Sequence, residues 1–144
     1  PPAGDAAGEA EPLGGDERLM VVDDEPTVLA FAAAMLREEG YEVIEAGNGE
    51  QALRRFSDAA REGRPIDMVL TDLVMPVMGG RELGEALGRL APDVPMLYTS
   101  GYTGDEVARR GLLGAGADFV AKPFAADELL RRVRRALDAR QREG

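Results

Sequence analysis

Residues 68–76 read MVLTDLVMP, an apolar run that contains one carboxylate, Asp72. A continuous apolar run of this length predicts a strand buried on both faces of a parallel sheet, and Pro76 interrupts the regular backbone after it. Asp72 is then expected at the carboxyl end of the strand, where ligands bind in open parallel sheets. Taken alone, the residue could equally be a turn or helix-cap aspartate.

The composition limits the chemistry in which Asp72 could take part. The 144 residues carry a net charge of −10 and contain neither Cys nor His. Thiolate chemistry and disulfides are therefore excluded, and catalysis would have to use carboxylates, hydroxyls and cations. The negative charge predicts no nucleic-acid partner, because phosphates would be repelled. The sequence contains no apolar segment of membrane-spanning length and no visible signal peptide, so we expect no direct membrane contact.

The two ends of the chain lack the periodicity of folded segments. Residues 1–17 are rich in Pro, Gly, Ala and acids, which predicts a disordered acidic linker. We expect one folded domain over residues 18–141 and a short tail at 142–144 that cloning could have added. Because the sequence starts at Pro1 and not at Met, we expect it to be cut from a longer polypeptide or processed.

Between these ends, strand and helix signals alternate five times. Strands are predicted at 19–22, 41–46, 68–72, 94–98 and 119–120, and helices at 26–39, 49–62 and around 105–110. The apolar face of the second helix is expected to carry Ala52, Leu53, Phe56 and Ala60. Two more helices are predicted from their inward apolar residues, which are Leu83, Ala86, Leu87 and Leu90 in the third helix and Leu129, Leu130, Val133 and Leu137 in the last. Regular alternation predicts an α/β fold, with a doubly wound five-stranded parallel sheet of order 2-1-3-4-5 and helices on both faces. The fourth helix should be the least stable element, because four glycines surround it: Gly104, Gly111, Gly114 and Gly116.

This topology gathers four loops at the carboxyl edge of the sheet. They supply Asp23-Asp24-Glu25, Asp72, Thr99-Ser100-Gly101 and Lys122-Pro123. Each has a simpler interpretation: the acids could cap the helix that starts at Pro26, Ser100 could lie in an ordinary turn, and Lys122 could be a surface lysine. Their convergence favours a functional site. Lys122 is also the single lysine beside sixteen arginines, as if this position required a compact charge on a flexible stem.

The residue types at this edge indicate phosphoryl chemistry. Neighbouring carboxylates repel one another, and a divalent cation relieves the repulsion. Mg²⁺ fits best, because it accepts one or two carboxylates and leaves room for phosphate oxygens. Asp72 could then attack a phosphorus atom and form an acyl phosphate, while Lys122 and Ser100 neutralise the transferring oxygens.

Taken together, these motifs resemble the receiver domain of two-component response regulators over about residues 18–140. The residues that carry the resemblance are Asp23-Asp24, Asp72, Met75-Pro76, Gly79-Gly80, Ser100-Gly101 and Lys122-Pro123-Phe124. The resemblance implies a flavodoxin-like fold and a domain that catalyses its own phosphorylation and dephosphorylation. It also implies that a histidine kinase, or the kinase part of the same polypeptide, acts as phosphodonor, because this chain has no His.

The resemblance also assigns a role to individual residues. Asp72 would be the phosphoacceptor, with Lys122 and Ser100 as further catalytic residues that neutralise the transferring oxygens. The Mg²⁺ ligands would be Asp23, Asp24, Asp72 and the backbone carbonyl of Val74. Ser100 would be the switch hydroxyl, with Thr99 a weaker candidate, and Phe119 would be the switch aromatic. Simple core packing is an equally good interpretation of Phe119.

One branch of the family resembles this chain most. The sequence YTSGYT at 98–103 is similar to receivers at the C-termini of hybrid histidine kinases, and nothing after the last helix could bind DNA. We therefore expect such a module, in the cytoplasm, with a parent polypeptide that is either free or membrane-anchored. A histidine phosphotransfer protein is a further expected partner. A stand-alone single-domain regulator and a degenerate receiver that only binds proteins are the alternatives.

Two other classes fit the sequence less well. A phosphatase with an aspartate nucleophile needs a second acid two residues after it, where this chain has Val74. A flavin-binding module would need a phosphate loop after the first strand, where Asp23-Asp24-Glu25 would repel the phosphate. Because Val74 cannot hydrogen-bond an attacking water, we also expect slow hydrolysis of an acyl phosphate on Asp72.

Overall fold

The computed structural model describes residues 13–113 and 117–143, with side chains through residue 140. Five strands alternate with five helices. Their bounds are β1 Arg18–Val22, α1 Pro26–Glu38, β2 Glu42–Ala46, α2 Gly49–Arg61, β3 Met68–Asp72, α3 Gly80–Leu90, β4 Met96–Ser100, α4 Gly104–Arg109, β5 Phe119–Ala121 and α5 Ala126–Glu143.

All strand pairs of the sheet are parallel, and the order is β2-β1-β3-β4-β5. The predicted fold class and strand order are therefore confirmed. Reversal of the winding direction between β1 and β3 brings the ends of these two strands side by side, with Val22 opposite Thr71. This is the position at which open α/β sheets form their binding crevice.

Side chains on the two faces of the sheet form separate cores. Leu19 and Val21 of β1 point to the core made with α1 and α5, whereas Met20 and Val22 point to the core made with α2 and α3. All five residues of β3 are buried, which explains why its sequence is apolar on both faces. In α5, the expected inward residues Leu129, Leu130, Val133 and Leu137 are buried.

Two details differ from the sequence prediction. The fourth strand starts and ends two residues later than expected, because Pro95 lies before it and Thr99 and Ser100 pair with Val120 and Ala121 of β5. Pro95 has no N–H for the ladder, whereas Thr99 and Ser100 complete it. In α2, Ala59 is buried and not the expected Ala60, which is exposed.

Part of the expected acidic linker contacts the fold. Leu13 packs against the core of α1 and α5, and Glu17 forms an ion pair with Arg134. Residues 1–12, the loop that holds Gly114 and Gly116, and Gly144 at the end of the expected tail lie outside the described residues. Among the described helices, none is long and apolar enough to cross a bilayer.

A close contact joins α3 to the sheet beneath the carboxyl edge. The ring of Tyr98 on β4 is buried, and its hydroxyl lies so near Gly84 of α3 that a Cβ on residue 84 would overlap it. Gly88 lies one turn further along the same helix, and a Cβ there would meet nothing within 4 Å. The two glycines thus offer a matched pair with opposite surroundings.

We predict opposite effects of alanine at these two positions. Gly88→Ala should raise the free energy of unfolding by up to about 1 kcal/mol, because alanine is the better helix former. Gly84→Ala should lower it by roughly 1–3 kcal/mol, because the added methyl group displaces Tyr98. Adding Tyr98→Phe to Gly84→Ala removes the overlapping oxygen and should recover part of the loss. Urea denaturation measures all three, and a Gly84→Ala protein as stable as Gly88→Ala would contradict the packing.

Candidate functional site

Three acids meet at the carboxyl edge of the sheet, where β1 and β3 end. Asp23, Asp24 and Asp72 each have a carboxylate oxygen within 4.8 Å of the others. Asp23 and Asp72 are buried, and Asp24 is exposed. Oxygens bound to one Mg²⁺ ion at about 2.1 Å can lie up to about 4.2 Å apart, so a small closure would bring this set into range. The hard oxygen donors and their spacing therefore fit a small divalent cation.

The backbone after β1 fixes the orientation of Asp23. Its N–H donates to the carbonyl of Ala46 at 3.2 Å, which extends the pairing of β1 with β2. One carboxylate oxygen, Oδ1, accepts the N–H of Glu25 at 2.9 Å. The local turn thus holds one oxygen and directs the other, Oδ2, into the site.

Lys122 reaches the acids from the end of β5. Its Nζ donates to Asp23 Oδ2 at 2.9 Å and lies 3.5 Å from Asp72 Oδ1. Burial tends to lower the pKa of Lys122, but the hydrogen bond to Asp23 and the neighbouring carboxylates raise it above its ordinary value. The ammonium therefore stays charged, with 15% of the side chain exposed.

Asp72 sits in a position that disfavours its own charge. Burial is the main cause that raises its pKa, from 3.8 to about 6. Lys122 opposes this shift, while Asp23 and Asp24 add to it through like-charge repulsion. An added cation beside Asp72 would therefore stabilise the carboxylate form, which is the form that can act as a nucleophile.

The loop after Asp72 is held closely against the site. Leu73 N–H donates to Thr99 O at 2.7 Å, and Gly80 N–H donates to Leu73 O at 2.8 Å. A Cβ at Gly80 would overlap the Asp72 carbonyl, so this approach requires glycine. Val74 is half exposed on this loop, and the proposed role of its carbonyl as a metal ligand stays a prediction.

Ser100, the switch hydroxyl of the sequence prediction, is the last residue of β4, the strand that pairs with the Asp72 strand β3. Asp72 is opposite Thr99 in the sheet, so Ser100 follows one residue beyond it. The Ser100 hydroxyl is buried and accepts the N–H of Tyr102 at 3.0 Å, while its carbonyl accepts the N–H of Lys122 at 2.8 Å. Within residues 13–113 and 117–140, its side chain forms no hydrogen bond with Asp72.

Phe119 begins β5 on the side of the sheet that faces α4. It is half buried and packs against a small cluster of Leu73, Tyr98 and Val107. It lies opposite Tyr98 in the ladder. This position is compatible with both interpretations of Phe119. A half-buried ring beside a short helix can contribute to the core, and it can also change its orientation as a switch residue would.

Two features of the site were not visible in the sequence. Glu25, which the sequence placed at this edge of the sheet without a role in the site, lies 3.7 Å from Lys122 Nζ. Val77 is fully exposed and has a φ of 70°, a left-handed conformation that is costly for a β-branched residue. A Pro-Gly or Pro-Asn pair would have indicated this turn, but Pro76-Val77 gave no such signal.

Comparisons with known proteins agree with the fold and show the family. The family model of the response regulator receiver domain matches residues 19–134. The chain therefore belongs to the response regulator receiver family, the receiver domain of two-component signal transduction.

Two relatives illustrate the range of proteins that carry this domain. The chain is 39% identical over 127 residues to the transcriptional regulatory protein AruR of Pseudomonas aeruginosa, covering 83% of this chain and 51% of AruR. It is 33% identical over 130 residues to the sensor kinase CckA of Brucella abortus, covering 90% of this chain and 13% of CckA. It thus spans about half of one relative and a small part of the other.

A solved structure also resembles the fold of this chain. The response regulator TrrA of Thermotoga maritima, crystallised in complex with Mg²⁺-BeF, aligns with a TM-score of 0.72 at 31% identity. The alignment covers 83% of this chain and 98% of TrrA.

The raised pKa of Asp72 leads to a prediction about stability. A carboxyl group whose pKa is higher in the folded than in the unfolded protein destabilises the fold once it is charged. The cost is absent below about pH 4, grows between pH 4 and 6, and should reach on the order of 2–3 kcal/mol above that. Asp72→Asn should therefore be more stable than the parent protein at pH 7.5 and equally stable near pH 4.

Chemical denaturation of both proteins between pH 4 and pH 8, with a chelator present, measures this difference. Asp93→Asn is the control, because Asp93 is an exposed acid at the opposite edge of the sheet. A difference between the Asp72→Asn and parent proteins that stays constant across this range would contradict the assigned titration.

Proposed function

We propose that this domain accepts a phosphoryl group on Asp72 from a phosphohistidine. The observation that carries the proposal is the location of one buried carboxylate between two further acids and a charged lysine. An Asp72 oxygen forms a bond to phosphorus as the bond from phosphorus to the donor imidazole breaks, which yields an acyl phosphate and a neutral imidazole after proton uptake. The donor lies outside this chain, since the chain contains no His.

The surrounding residues would position and neutralise the phosphoryl group. Asp23, Asp24, Asp72 and the Val74 carbonyl would hold Mg²⁺, and the bound ion would offset the charge of the transferring oxygens. Lys122 now pairs with Asp23 and lies 3.5 Å from Asp72, so a small movement of its flexible stem would bring it to a phosphate. Ser100 could donate its hydroxyl proton to the same group.

The switch would follow from the charge that phosphorylation adds. About two negative charges at Asp72 would attract Lys122 and the Ser100 hydroxyl. Ser100 lies on β4 beside Tyr102, and Phe119 packs against Val107 of the short helix α4. A shift of these residues would change the face that a partner protein meets.

We further propose that the domain belongs to a hybrid histidine kinase, with a kinase or a histidine phosphotransfer protein as partner. The similarity to the sensor kinase CckA supports this context. The similarity to the transcriptional regulator AruR supports a separate response regulator instead. In either context, the net charge of −10 disfavours contact of this chain with nucleic acid. We also propose that the domain works in the cytoplasm, without direct contact with a membrane.

Intact mass after incubation with acetyl phosphate tests the proposed chemistry. We expect a gain of one phosphoryl group that requires Mg²⁺, is lost in Asp72→Asn and is retained in Asp93→Asn. Asp24→Asn should still be phosphorylated but at a higher Mg²⁺ concentration, because it removes one metal ligand. A folded protein that gains no phosphoryl group from acetyl phosphate or from a phosphorylated histidine kinase would instead be a degenerate receiver.

The exposed side chain of Val74 leads to a prediction about the lifetime of the acyl phosphate. Val74 is 49% exposed two residues after Asp72 and offers no hydrogen bond to an attacking water. Val74→Asn and Val74→Glu should shorten the lifetime, by roughly the tenfold that a positioned hydrogen bond of 1.4 kcal/mol would give. Phosphate release from the phosphorylated proteins measures the rate, and Val74→Leu is the control that should leave it unchanged. Equal lifetimes in all four proteins would refute the role of Val74.

A further inference from the structure

The segment before β1 is attached to the fold by its backbone. We call residues 13–17 the N-terminal strap. Gly15 N–H donates to Glu39 O at the end of α1, and Glu17 O accepts the N–H of Glu42 on β2, both at 3.1 Å. Leu13 packs against the core of α1 and α5. The strap therefore extends the pairing of β1 with β2 by one hydrogen bond and covers the C-terminal end of α1.

Arg134 of α5 holds the strap from the other side. Its guanidinium donates to both carboxylate oxygens of Glu17, at 3.0 and 2.6 Å, and to Gly14 O at 3.1 Å. It also donates to the Tyr41 hydroxyl at 3.3 Å, and that hydroxyl donates to Leu13 O at 3.1 Å. A bidentate ion pair between Arg and a carboxylate is among the strongest polar contacts that protein side chains form.

The ion pair between Arg134 and Glu17 is sheltered from solvent. Each side chain is only 13% exposed. The hydrogen bond from Arg134 is the main cause that lowers the pKa of Glu17, so the carboxylate is charged at neutral pH. Screening by salt is weaker for such a pair than for one on the open surface.

Two glycines make room for the strap. A Cβ on Gly14 would overlap the Glu39 carbonyl, and a Cβ on Gly15 would overlap the Glu17 carboxylate. The same substitution at Gly101 would meet nothing within 4 Å. Residues 14 and 15 of the strap therefore lie so close to the rest of the fold that only glycine fits at either position.

The helix that holds the strap also holds β5. Arg132, two residues before Arg134, donates to the Phe119 carbonyl at 2.8 Å. Phe119 lies three residues before Lys122 on the same strand segment, and α5 begins four residues after Lys122. One turn of α5 therefore contacts both the strand that presents Lys122 and the segment that precedes β1.

We propose that the N-terminal strap transmits the state of Asp72 to the chain on the amino-terminal side of Leu13, with Arg134 as the connecting residue. This rests on the proposed phosphorylation of Asp72. Movement of Lys122 toward a phosphoryl group displaces β5, Arg132 carries the displacement to α5, and Arg134 loosens its hold on Glu17. Because coupling between sites is reciprocal, release of the strap also loosens β5.

Hydrogen exchange of single amides tests the reciprocal direction without phosphorylation. In Arg134→Gln and Glu17→Gln, we expect the Lys122 amide, which donates to Ser100 O, to exchange about fivefold faster or more. Arg131→Gln is the matched control, because Arg131 lies on the same helix and pairs only with exposed Asp127 among the described acids. Unchanged exchange at Lys122 in both variants, together with faster exchange of the Gly15 and Glu42 amides that bond the strap to α1 and β2, would overturn the coupling.

Phosphorylation of the parent protein tests the forward direction. We expect the Gly15 and Glu42 amides to exchange faster once intact mass shows a phosphoryl group on the chain, and to exchange fast in both states in Arg134→Gln. Equal exchange before and after phosphorylation would overturn the proposal while leaving the function of Asp72 intact. If the chain gains no phosphoryl group but the Lys122 amide exchanges faster in Arg134→Gln and Glu17→Gln, the proposed function is refuted while the coupling between the strap and β5 stands.

Discussion

The ion pair between Lys122 and Asp23 is the interaction on which the carboxyl edge of the sheet depends. Two buried carboxylates, Asp23 and Asp72, lie on neighbouring strands, and their repulsion would force them apart without a cation between them. A compact ammonium on a flexible stem can reach both, whereas a planar guanidinium would align with one carboxylate only. The charge of Lys122 therefore offsets the repulsion between these two carboxylates, and under our proposal its flexible stem would let it move to a phosphoryl group.

The sheet topology determines which residues this pair can connect. Because all five strands are parallel, every loop that follows a strand lies at one edge, and the reversal between β1 and β3 opens that edge. Asp72 follows a strand whose residues are all buried, so its carboxylate has little solvent to stabilise it. Its pKa of about 6 is a consequence of that burial, and it makes the site responsive to any cation that arrives. The burial of β3 thus stabilises the sheet and also raises the pKa of Asp72.

Much of this arrangement was predictable because it depends on periodicity and on rules for parallel sheets. The strand order follows from the alternation of elements, and the meeting of Asp23, Asp24, Asp72 and Lys122 follows from the strand order. The strap was not predictable, because four arginines in one segment, Arg131, Arg132, Arg134 and Arg135, are typical of a solvated helix face, and residues 13–17 have the composition of a linker. The contact of Arg134 with Glu17 is visible only in the structure. The register of β4 and the close approach of Tyr98 to Gly84 also depend on side chains that meet only in three dimensions.

The acid site alone cannot determine what this domain does in a larger protein. AruR and CckA differ in what they are, yet both resemble this chain over the same domain. Resemblance over this domain therefore does not distinguish a transcriptional regulator from a sensor kinase. In this chain, α5 contacts both the strand of Lys122 and the strap, which is the part of the fold nearest residues 1–12. The helix α5 therefore links the strand that presents Lys122 to the strap, and our proposal uses this link to carry the state of Asp72 toward the chain before Leu13.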